Sequence, residues 1–389
     1  MGSSWTGSPA RRSATYSRKR MARSSRTAGH APDYFFLAVV VSLLVFGLAM
    51  LASASSDLGK TQFNNSYYYL EHQLLYGVSL GAAGFALGYF IPYQKFKKFA
   101  FPLLIVSIAC LALVFTKFGS TINETNRWLR FGPLSFQPAE LMKLTYLIYL
   151  AAWLSSTKLK RTSDFQSGLL PFALVSGLIA VLLLLQPATS TVAILLASGL
   201  AVYFVSGAPV RYIAGFVAVG AVAVGLLILV TPYRLARITG FLNQNANTQG
   251  QNYQLNQALI AIGSGGLTGQ GYGQSATKAS YLPDPINDSI FAVVGEELGF
   301  IGAGTLIALF GMYTFRLYWL ARETGDRFGR LLLIGFGTVV ALQAFVNMAS
   351  ISGVIPLTGV PLPFVSYGGT ALAIFLTMSG IALNVSRYT

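Results

Sequence analysis

The chain has 389 residues, of which 54% are hydrophobic and only 10% are charged. Its mean hydropathy is +0.59, which is typical of polytopic membrane proteins and excludes an ordinary water-soluble domain. The formal net charge of +15 comes from basic residues scattered between apolar runs, which argues against a nucleic-acid-binding protein.

The first 32 residues are rich in Ser and Arg and contain few large apolar side chains. We predict a disordered basic cytoplasmic tail over 1–32. Two roles stay open for it: contact with anionic lipid head groups, or orientation of the chain alone. The first apolar run is long enough to span and lacks a clear cleavage site, so we expect no cleavable signal peptide.

Ten apolar runs follow, each near the roughly 20 residues that cross a membrane core. We predict an all-α, polytopic membrane domain over 33–389, with ten transmembrane helices and a large extracytoplasmic loop between helices 7 and 8. With the N-terminus inside, most of the 27 Lys and Arg residues fall on the inner side, which places both termini in the cytoplasm. The predicted spans are 34–55, 73–93, 99–117, 134–155, 167–186, 189–206, 210–231, 289–317, 330–351 and 364–385.

The extracytoplasmic loop covers residues 231–288 and is far longer than the usual connection between helices. Arg234, Arg237 and Lys278 within it are candidate contacts for a diphosphate. The apolar spacing over 254–262 predicts a helix on the membrane surface. The glycine run of this loop lacks the Gly-Lys-Ser/Thr continuation of a phosphate-binding loop. Its glycines either let the backbone approach a ligand or lipid closely, or form tight turns.

Asp288 ends this loop directly before an apolar helix, in a chain with only 12 acidic residues. One interpretation is structural, because Asp288 or Asn287 before Ser289 is a good helix N-cap. The other interpretation is catalytic. A carboxylate at the edge of a bilayer is partly desolvated, which raises its pKa and makes it a better general base. The sequence physics alone leaves both interpretations open.

Two glycines and two glutamates further along this helix also need an explanation. Gly295 and Gly299 share the face of Asp288 and leave either a groove for a lipid chain or a close contact with a neighbouring helix. Glu296 and Glu297 lie within the span, where an ionised carboxylate costs roughly 2.5–3.5 kcal/mol. Three roles stay open for these glutamates: to orient the base, to bind a cation or to form ion pairs with Lys and Arg. We expect at least one of the two to form a structural ion pair.

A second outer segment precedes the fourth predicted span. Pro138 suits the first position of a helix, which puts Glu140 in the first turn, where the helix dipole favours an anion. Lys143 lies three residues after Glu140 and can pair with it. The two residues form a neutralised structural pair, or Lys143 lies at the outer edge of a cavity and holds a diphosphate. Arg127 and Arg130 are interpreted as interfacial anchors, with phosphate contact as the alternative.

A third outer segment, 353–369, is dense in Pro and Gly and predicts a broken, re-entrant loop. Non-helical backbone at membrane depth is tolerated only where protein or a cavity satisfies its polar groups. Packing explains most of this segment, and Ser366 within it is a candidate substrate contact.

Three long motifs stand in the outer segments described above. In chain order they are Phe136-Gln-Pro-Ala-Glu-Leu-Met-Lys143, Tyr281-Leu-Pro-Asp with the following Asp288-Ser-Ile-Phe-Ala-Val-Val-Gly-Glu-Glu-Leu-Gly299, and Leu362-Pro-Phe-Val-Ser-Tyr-Gly-Gly369. Together they resemble the SEDS family of polytopic cell-wall polymerases, the FtsW/RodA group. The resemblance covers the chain from about residue 33 and implies a ten-helix fold. It also implies a peptidoglycan glycosyltransferase that polymerises lipid II at the outer face of the cytoplasmic (inner) membrane, in cell division or elongation.

The resemblance also implies roles for single residues. The catalytic aspartate of the family falls on Asp288, and its glutamate and lysine at the start of the fourth span fall on Glu140 and Lys143. The family usually has an acidic residue where this chain has Ala188, which puts any role for that position in doubt. The third motif and the ending Leu383-Asn-Val-Ser-Arg387 lean towards the division branch.

The resulting hypothesis is that Asp288 takes the proton from the 4-hydroxyl of the acceptor sugar as polyprenyl diphosphate leaves the donor. Lys143, Arg234, Arg237 and Lys278 are the candidates that stabilise the diphosphate, with a divalent cation (Mg or Mn) as an option. Expected partners are lipid II, polyprenyl diphosphate-linked glycan, a class B penicillin-binding protein transpeptidase, other division proteins and membrane lipids, and no nucleic acid.

Two rival functions stay open. One is a lipid II flippase or transporter, and the other is a non-catalytic scaffold for a transpeptidase. A transporter would place its functional charges near the middle of the membrane, often within inverted repeats. Here the candidate charges cluster towards the outer face and no repeat is detectable, which favours the enzyme.

Overall fold

A computed structural model describes residues 30–389 apart from 123–124, 132–133, 157–163 and 243–251. Nearly all of the predicted tail over 1–32 therefore lies outside the described residues. The helices are α1 Tyr34–Phe63, α2 Tyr68–Phe90, α3 Gln94–Leu113, α4 Pro138–Leu154, α5 Phe165–Leu185, α6 Thr189–Val205, α7 Val210–Val230, α8 Pro232–Leu242, α9 Tyr253–Ser264, α10 Thr277–Ser280, α11 Ile290–Glu323, α12 Arg327–Ile351 and α13 Gly369–Ser386. The strands are β1 Gly119–Ile122, β2 Thr125–Phe131 and β3 Leu134–Phe136.

Each predicted span corresponds to one long helix, so the predicted all-α polytopic fold is confirmed. Within the described ranges, eight helices are long and apolar enough to cross a membrane. The other two, α4 and α6, have 17 residues each and pack against each other and against α12. The chain is therefore a multi-pass membrane protein.

The predicted start of the fourth span at residue 134 is wrong. Leu134–Phe136 is a strand, and α4 begins at Pro138, with Glu140 in its first turn as expected. Proline has no backbone N–H to lose at the start of a helix, so it marks this boundary. The strand belongs to an antiparallel sheet in the order β1-β2-β3, which was not expected from the sequence. The sheet holds residues 127–130 beside α4.

The centre of the bundle consists of α4, α12 and α13, whose residues are mostly buried. α2 packs along α13, and α11 packs against α12, α1 and α9. The contact between α2 and α13 depends on glycine, because a Cβ at Gly88 would lie 2.7 Å from the backbone nitrogen of Ile381. By contrast, no residue of α7 is buried against the described part of the chain, so α7 lies at the periphery.

The two ends of the described chain meet at one end of the bundle. His30 N donates to Arg387 O at 2.7 Å, and Arg316 pairs with Asp33 at 2.5 Å. Arg316 lies near the far end of α11, about 40 Å along the helix from Asp288 at about 1.5 Å per residue. Asp288 therefore lies at the opposite end of the bundle from the two termini.

α11 bends at Gly299, whose φ of 63° lies in the left-handed region. A Cβ at Gly299 would lie 2.3 Å from Gly269 N, and a Cβ at Gly265 would lie 1.9 Å from Gly295 O. The backbone that follows α9 therefore packs directly on the face that Gly295 and Gly299 share. Of the two predicted uses of this face, the close packing contact is confirmed and the lipid groove is wrong.

Gly299→Ala is expected to destabilise the fold by about 1–3 kcal/mol, because alanine is strained at this φ and its Cβ meets backbone that cannot move away easily. Gly304→Ala, in the same helix, is the matched control, since nothing lies within 4 Å of a Cβ there. We expect the control to be neutral or to stabilise by up to about 1 kcal/mol. Thermal unfolding in detergent measures both, and equal melting temperatures for the two variants would contradict the expectation.

Candidate active site

Asp288 lies in the short segment between α10 and α11 and is fixed by contacts to its backbone. Asn347 Nδ2 of α12 donates to Asp288 O at 2.8 Å. Two residues earlier, Ile286 O accepts from Tyr367 N at 2.8 Å. These bonds tie the segment to α12 and to the loop that precedes α13, so the position of Asp288 depends on two separate elements.

The carboxylate of Asp288 does not cap α11. The helix begins at Ile290, and its N-cap is Ser289, whose side chain makes no capping bond. The interpretation of Asp288, or of the residue before it, as the N-cap of α11 is therefore wrong. Asp288 Oδ1 instead accepts a hydrogen bond from Gln254 Nε2 of α9 at 3.3 Å. Gly359 lies beside the other oxygen, because a Cβ there would be 3.6 Å from Asp288 Oδ2.

The surroundings of Asp288 raise its pKa to about 6. Burial is the largest cause because it penalises the charged carboxylate, and the negative charge of Asp284 adds to it. The hydrogen bond from Gln254 and the positive charge of Arg237 lower the pKa again. A carboxylate with this pKa is mostly ionised at neutral pH and accepts a proton more readily than an ordinary aspartate.

A cavity of about 1590 Å³ opens beside Asp288. Pockets for drug-sized ligands measure roughly 300–1,000 Å³, so this cavity has room for a larger molecule. Its aromatic lining residues are Tyr69, His72, Tyr76, Trp128, Phe136 and Tyr367. Its charged lining residues are Arg127, Arg234, Arg237, Asp284 and Asp288. Rings and charges together suit an amphiphilic ligand with polar and anionic parts.

The arginines that line the cavity are each oriented by hydrogen bonds. Arg234 Nη1 donates to Thr231 Oγ1 at 3.0 Å, and Arg237 Nη1 donates to Leu357 O at 3.1 Å. Arg127 donates to two backbone carbonyls just before α6, at 2.8 and 2.6 Å. Arg234 and Arg237, both candidates for the diphosphate from the sequence, therefore line the same cavity as Asp288. The lining also includes Arg127, which the sequence favoured as an interfacial anchor. Guanidinium groups suit phosphate recognition because their planar donors match its oxygens.

Glu140 and Lys143 are neighbours, but neither lines the cavity. Lys143 Nζ lies 2.6 Å from Glu140 Oε1 and 2.6 Å from Gln343 Oε1. The side chains of Lys143 and Glu140 are 1% and 3% exposed. The predicted pairing is thus present. The alternative, in which Lys143 lies at the cavity edge and holds a diphosphate, does not match this geometry.

Lys278 is also buried away from the cavity. Its Nζ lies 2.7 Å from Glu297 Oε1 and 2.9 Å from Ser53 Oγ of α1. Ser53 in turn donates to Glu297 at 2.6 Å. The side chains of Lys278 and Glu297 are 2% and 0% exposed. Lys278 therefore does not reach a ligand beside Asp288, and its ion pair instead ties the loop to α1 and α11.

Glu296 and Ser366 have structural partners as well. Glu296 accepts hydrogen bonds from backbone and side-chain groups of residues 275–277. Ser366 Oγ donates to Asn287 O and accepts from Leu362 N at 2.8 Å. Neither side chain lines the cavity. Glu296 and Glu297 are therefore both paired within the protein, and Ser366 supports the backbone next to Asp288 instead of facing a ligand.

In the part of the chain that the structure describes, no three His, Cys, Asp or Glu side chains come together to hold a metal ion. Asp284 and Asp288 are the carboxylates in the cavity lining. Binding of a divalent cation beside the diphosphate of a ligand stays a prediction.

Gln254, Gln343 and Asn347 all contact the site or its supports, although none was a candidate from the sequence. Gln343 and Asn347 are polar residues inside an apolar span, and such residues are expensive in a membrane unless they are paired or functional. This cost could have marked both residues as candidates from the sequence. Gln254 could not be singled out in this way, because a glutamine on an amphipathic surface helix is ordinary.

The fold and the site together define a class of protein: a polytopic helical membrane protein with a large amphiphilic cavity at one end, a carboxylate of raised pKa and cationic side chains nearby. The family model for FtsW, RodA and SpoVE, described as cell cycle proteins, matches residues 34–389. The chain belongs to this family, and the resemblance drawn from the three motifs is confirmed.

Two relatives illustrate the match. A protein of Geobacter sp. (strain M18), named a probable peptidoglycan glycosyltransferase FtsW, is 36% identical over 355 residues, 91% of this chain and 96% of that protein. The stage V sporulation protein E of Bacillus subtilis is 34% identical over 361 residues, 92% of this chain and 98% of that protein.

Solved structures agree. The rod shape determining protein RodA of Thermus thermophilus superposes with a TM-score of 0.67 at 30% identity, covering 92% of this chain and 97% of that one. A chain from a peptidoglycan synthase complex, described as coordinating polymerization and crosslinking, superposes with a TM-score of 0.76 at 29% identity. That match covers 92% of this chain and 98% of the other.

Proposed function

We propose that this chain is a peptidoglycan glycosyltransferase that polymerises lipid II into glycan strands. The observation that carries the proposal is the position of Asp288, whose carboxylate of raised pKa lines a large cavity together with arginines. The names of relatives at 34–38% identity support the same activity. A glycosyl transfer needs a base for the acceptor hydroxyl and positive charge for the leaving diphosphate, and this cavity supplies both.

In the reaction, Asp288 accepts the proton of the 4-hydroxyl of the acceptor sugar. The acceptor oxygen forms a bond to the anomeric carbon of the donor glycan as the bond from that carbon to the diphosphate breaks. The polyprenyl diphosphate leaves with the electron pair, and Arg234 and Arg237 stabilise its charge. Lys143 and Lys278 have no direct part, because both are buried in ion pairs.

The reaction takes place at the outer face of the cytoplasmic membrane. By the spans predicted from the sequence, most Lys and Arg residues fall on the side of the membrane that carries the termini, which the positive-inside rule places in the cytoplasm. Asp288 and the cavity lie at the opposite end of α11. This arrangement gives lipid-linked substrates access to Asp288 only after they have reached the outer leaflet.

A class B penicillin-binding protein transpeptidase is the expected partner, alongside other division proteins. The solved synthase complex is described as combining polymerization with crosslinking, which supports such a pairing for this chain. A transpeptidase would consume the glycan strands that the cavity produces.

The purified chain in detergent or liposomes tests the proposal directly. We expect it to convert lipid II into glycan strands, alone or with an added class B transpeptidase. Movement of lipid II across liposome membranes without polymer would favour the flippase. Absence of both activities, with binding of a transpeptidase retained, would favour the scaffold.

The pH dependence of the reaction gives a second test. The base must be ionised, so the rate should fall as the pH drops through about 6. Asp284→Asn removes a negative charge that raises the pKa of Asp288, so the acidic limb should move to lower pH. Arg237→Gln removes a positive charge that lowers this pKa, so the limb should move to higher pH.

Asp284→Asn is a conservative change, because Asp284 has a φ of 47° and asparagine tolerates the left-handed region well. The measurement is kcat/KM for lipid II polymerisation across the acidic range. An acidic limb at the same pH in both variants and in the wild type would contradict the assignment of the base to Asp288.

A further inference from the structure

Two fully buried amides in the apolar helix α12 have no part in the reaction described above. Gln343 and Asn347 are four residues apart and so share one face of α12. Both are 0% exposed. A polar side chain inside a membrane protein is unfavourable unless its hydrogen bonds are made. We call these two residues the amide pair. Asn347 bonds to the backbone of Asp288, and Gln343 bonds to Lys143 of the Glu140–Lys143 ion pair.

Asn347 holds the backbone on both sides of the Asp288 carboxylate. Its Nδ2 donates to Asp288 O and to Val360 O, each at 2.8 Å. Val360 follows Gly359, the residue beside Asp288 Oδ2. Within the described residues, the other amide atom, Asn347 Oδ1, is buried without a hydrogen-bond partner. Both hydrogen bonds of the Asn347 side chain are therefore donated by its amide N–H groups. They fix the backbone of Asp288 and the cavity wall that faces the carboxylate of Asp288.

Gln343 connects the same loop to the ion pair. Gln343 Oε1 accepts from Lys143 Nζ at 2.6 Å, and Gln343 Nε2 donates to Pro361 O at 2.9 Å. Because an ammonium can only donate, it holds the amide oxygen of Gln343 towards itself and the amide nitrogen towards the loop. If the amide of Gln343 were rotated by half a turn, its NH2 group would face the ammonium of Lys143, and two donors would oppose each other. The charge of Lys143, balanced by Glu140, thus sets the direction of the bond to Pro361.

The amide pair therefore completes one path of hydrogen bonds. It runs from Glu140 through Lys143 to Gln343, then to the backbone of 360–361, and through Asn347 to Asp288. We propose that Gln343 and Asn347 are positioning residues that transmit the geometry of the Glu140–Lys143 ion pair to the catalytic carboxylate. This inference rests on the proposed role of Asp288 as the base. It gives the buried ion pair a function without any contact to substrate.

Asn347→Leu tests the inference, because leucine has a similar volume and no donor. We expect kcat to fall by about 10- to 100-fold, as for a small misplacement of a catalytic group, with KM for lipid II nearly unchanged. The acidic limb of the pH–rate profile should also move, because the environment of the carboxylate changes. Combined with Asp288→Asn, the substitution should cost little further residual activity, because it acts only through Asp288.

Asn384→Leu is the matched control. Asn384 is a buried asparagine of α13 that also bonds backbone, donating to Tyr89 O and accepting from Tyr93 N at 2.9 Å, but it lies near the termini. We expect it to lower thermal stability with kcat and the pH profile preserved. If Asn347→Leu behaves in the same way, the positioning role is wrong and the amide pair only stabilises the fold.

Gln343→Glu provides an independent variant if Asn347→Leu yields no folded protein. The carboxylate still accepts from Lys143, but when ionised it no longer donates to Pro361 O. A fall in kcat with unchanged KM supports the inference, and an unchanged kcat overturns it. Failure of the proposed function is distinguishable, because in that case the wild-type chain itself would not polymerise lipid II.

Discussion

Asp288→Asn is expected to remove nearly all polymerisation of lipid II while leaving the protein folded. Loss of a general base typically costs about 10²–10⁴-fold in rate. Asparagine has almost the same size as aspartate, and its carbonyl oxygen can still accept the hydrogen bond from Gln254. The cavity should therefore keep its shape and lose only the proton acceptor. The measurement is the initial rate of glycan formation by purified protein, with melting temperature recorded in parallel.

Asp284→Asn is the matched control for this experiment. Asp284 is another carboxylate of the cavity lining, four residues earlier in the same segment. We expect a rate close to that of the wild type at neutral pH, where Asp288 stays ionised. Full activity of Asp288→Asn would contradict its role as the base. An equal loss in both variants would show that the total charge of the cavity matters more than one proton acceptor.

Glu297→Leu is expected to have the largest effect on stability, at about 3–5 kcal/mol, because it leaves a buried ammonium without its counter-ion. The side chain of Lys278 is only 2% exposed. The double variant Lys278→Met/Glu297→Leu removes both charges. Replacing a buried ion pair by apolar residues of similar volume is often neutral or stabilising, so we expect the double variant to recover most of the lost stability.

Thermal unfolding in detergent measures this effect, with Glu323→Leu as the control. Glu323 is an exposed glutamate at the end of the same helix, bonded to Trp319, and surface changes of this kind usually stay within about 0.5 kcal/mol. A double variant as unstable as Glu297→Leu, or worse, would contradict the expectation. It would indicate that the side chains of Lys278 and Glu297 contribute through their other contacts, such as those with Ser53.

The sequence predicted the spans well and singled out Asp288 as the candidate base because both signals are local. An apolar run of membrane-spanning length can be recognised without reference to the rest of the chain. The start of α4 is likewise marked by a single residue, Pro138. The small sheet over residues 119–136 was missed. Its pairing of Leu129 with Gly119 and Phe136 has no marker as strong as a transmembrane run.

The sequence misplaced basic residues for a different reason. Lys143 and Lys278 were candidates for the diphosphate because a cation on the outer side can face a ligand. Whether it does depends on the nearest acid. Glu140 is close in sequence to Lys143, and its pairing was predicted as one alternative. Glu297 and Ser53 reach Lys278 from separate helices, and Ser53 and Glu297 are 244 positions apart, so only folding could reveal that Lys278 is enclosed.

By itself, the sequence determined that this protein is a polytopic helical membrane protein, which family it resembles and which carboxylate is the candidate base. These properties follow from hydropathy, charge and motifs that lie within short stretches of chain. The tertiary structure decided which side chains face the cavity and which are buried in pairs, because burial and hydrogen-bond partners arise from contacts between distant segments. That is why Arg234 and Arg237 stay with Asp288, Lys143 and Lys278 do not, and Gln343 and Asn347 join the site as its supports.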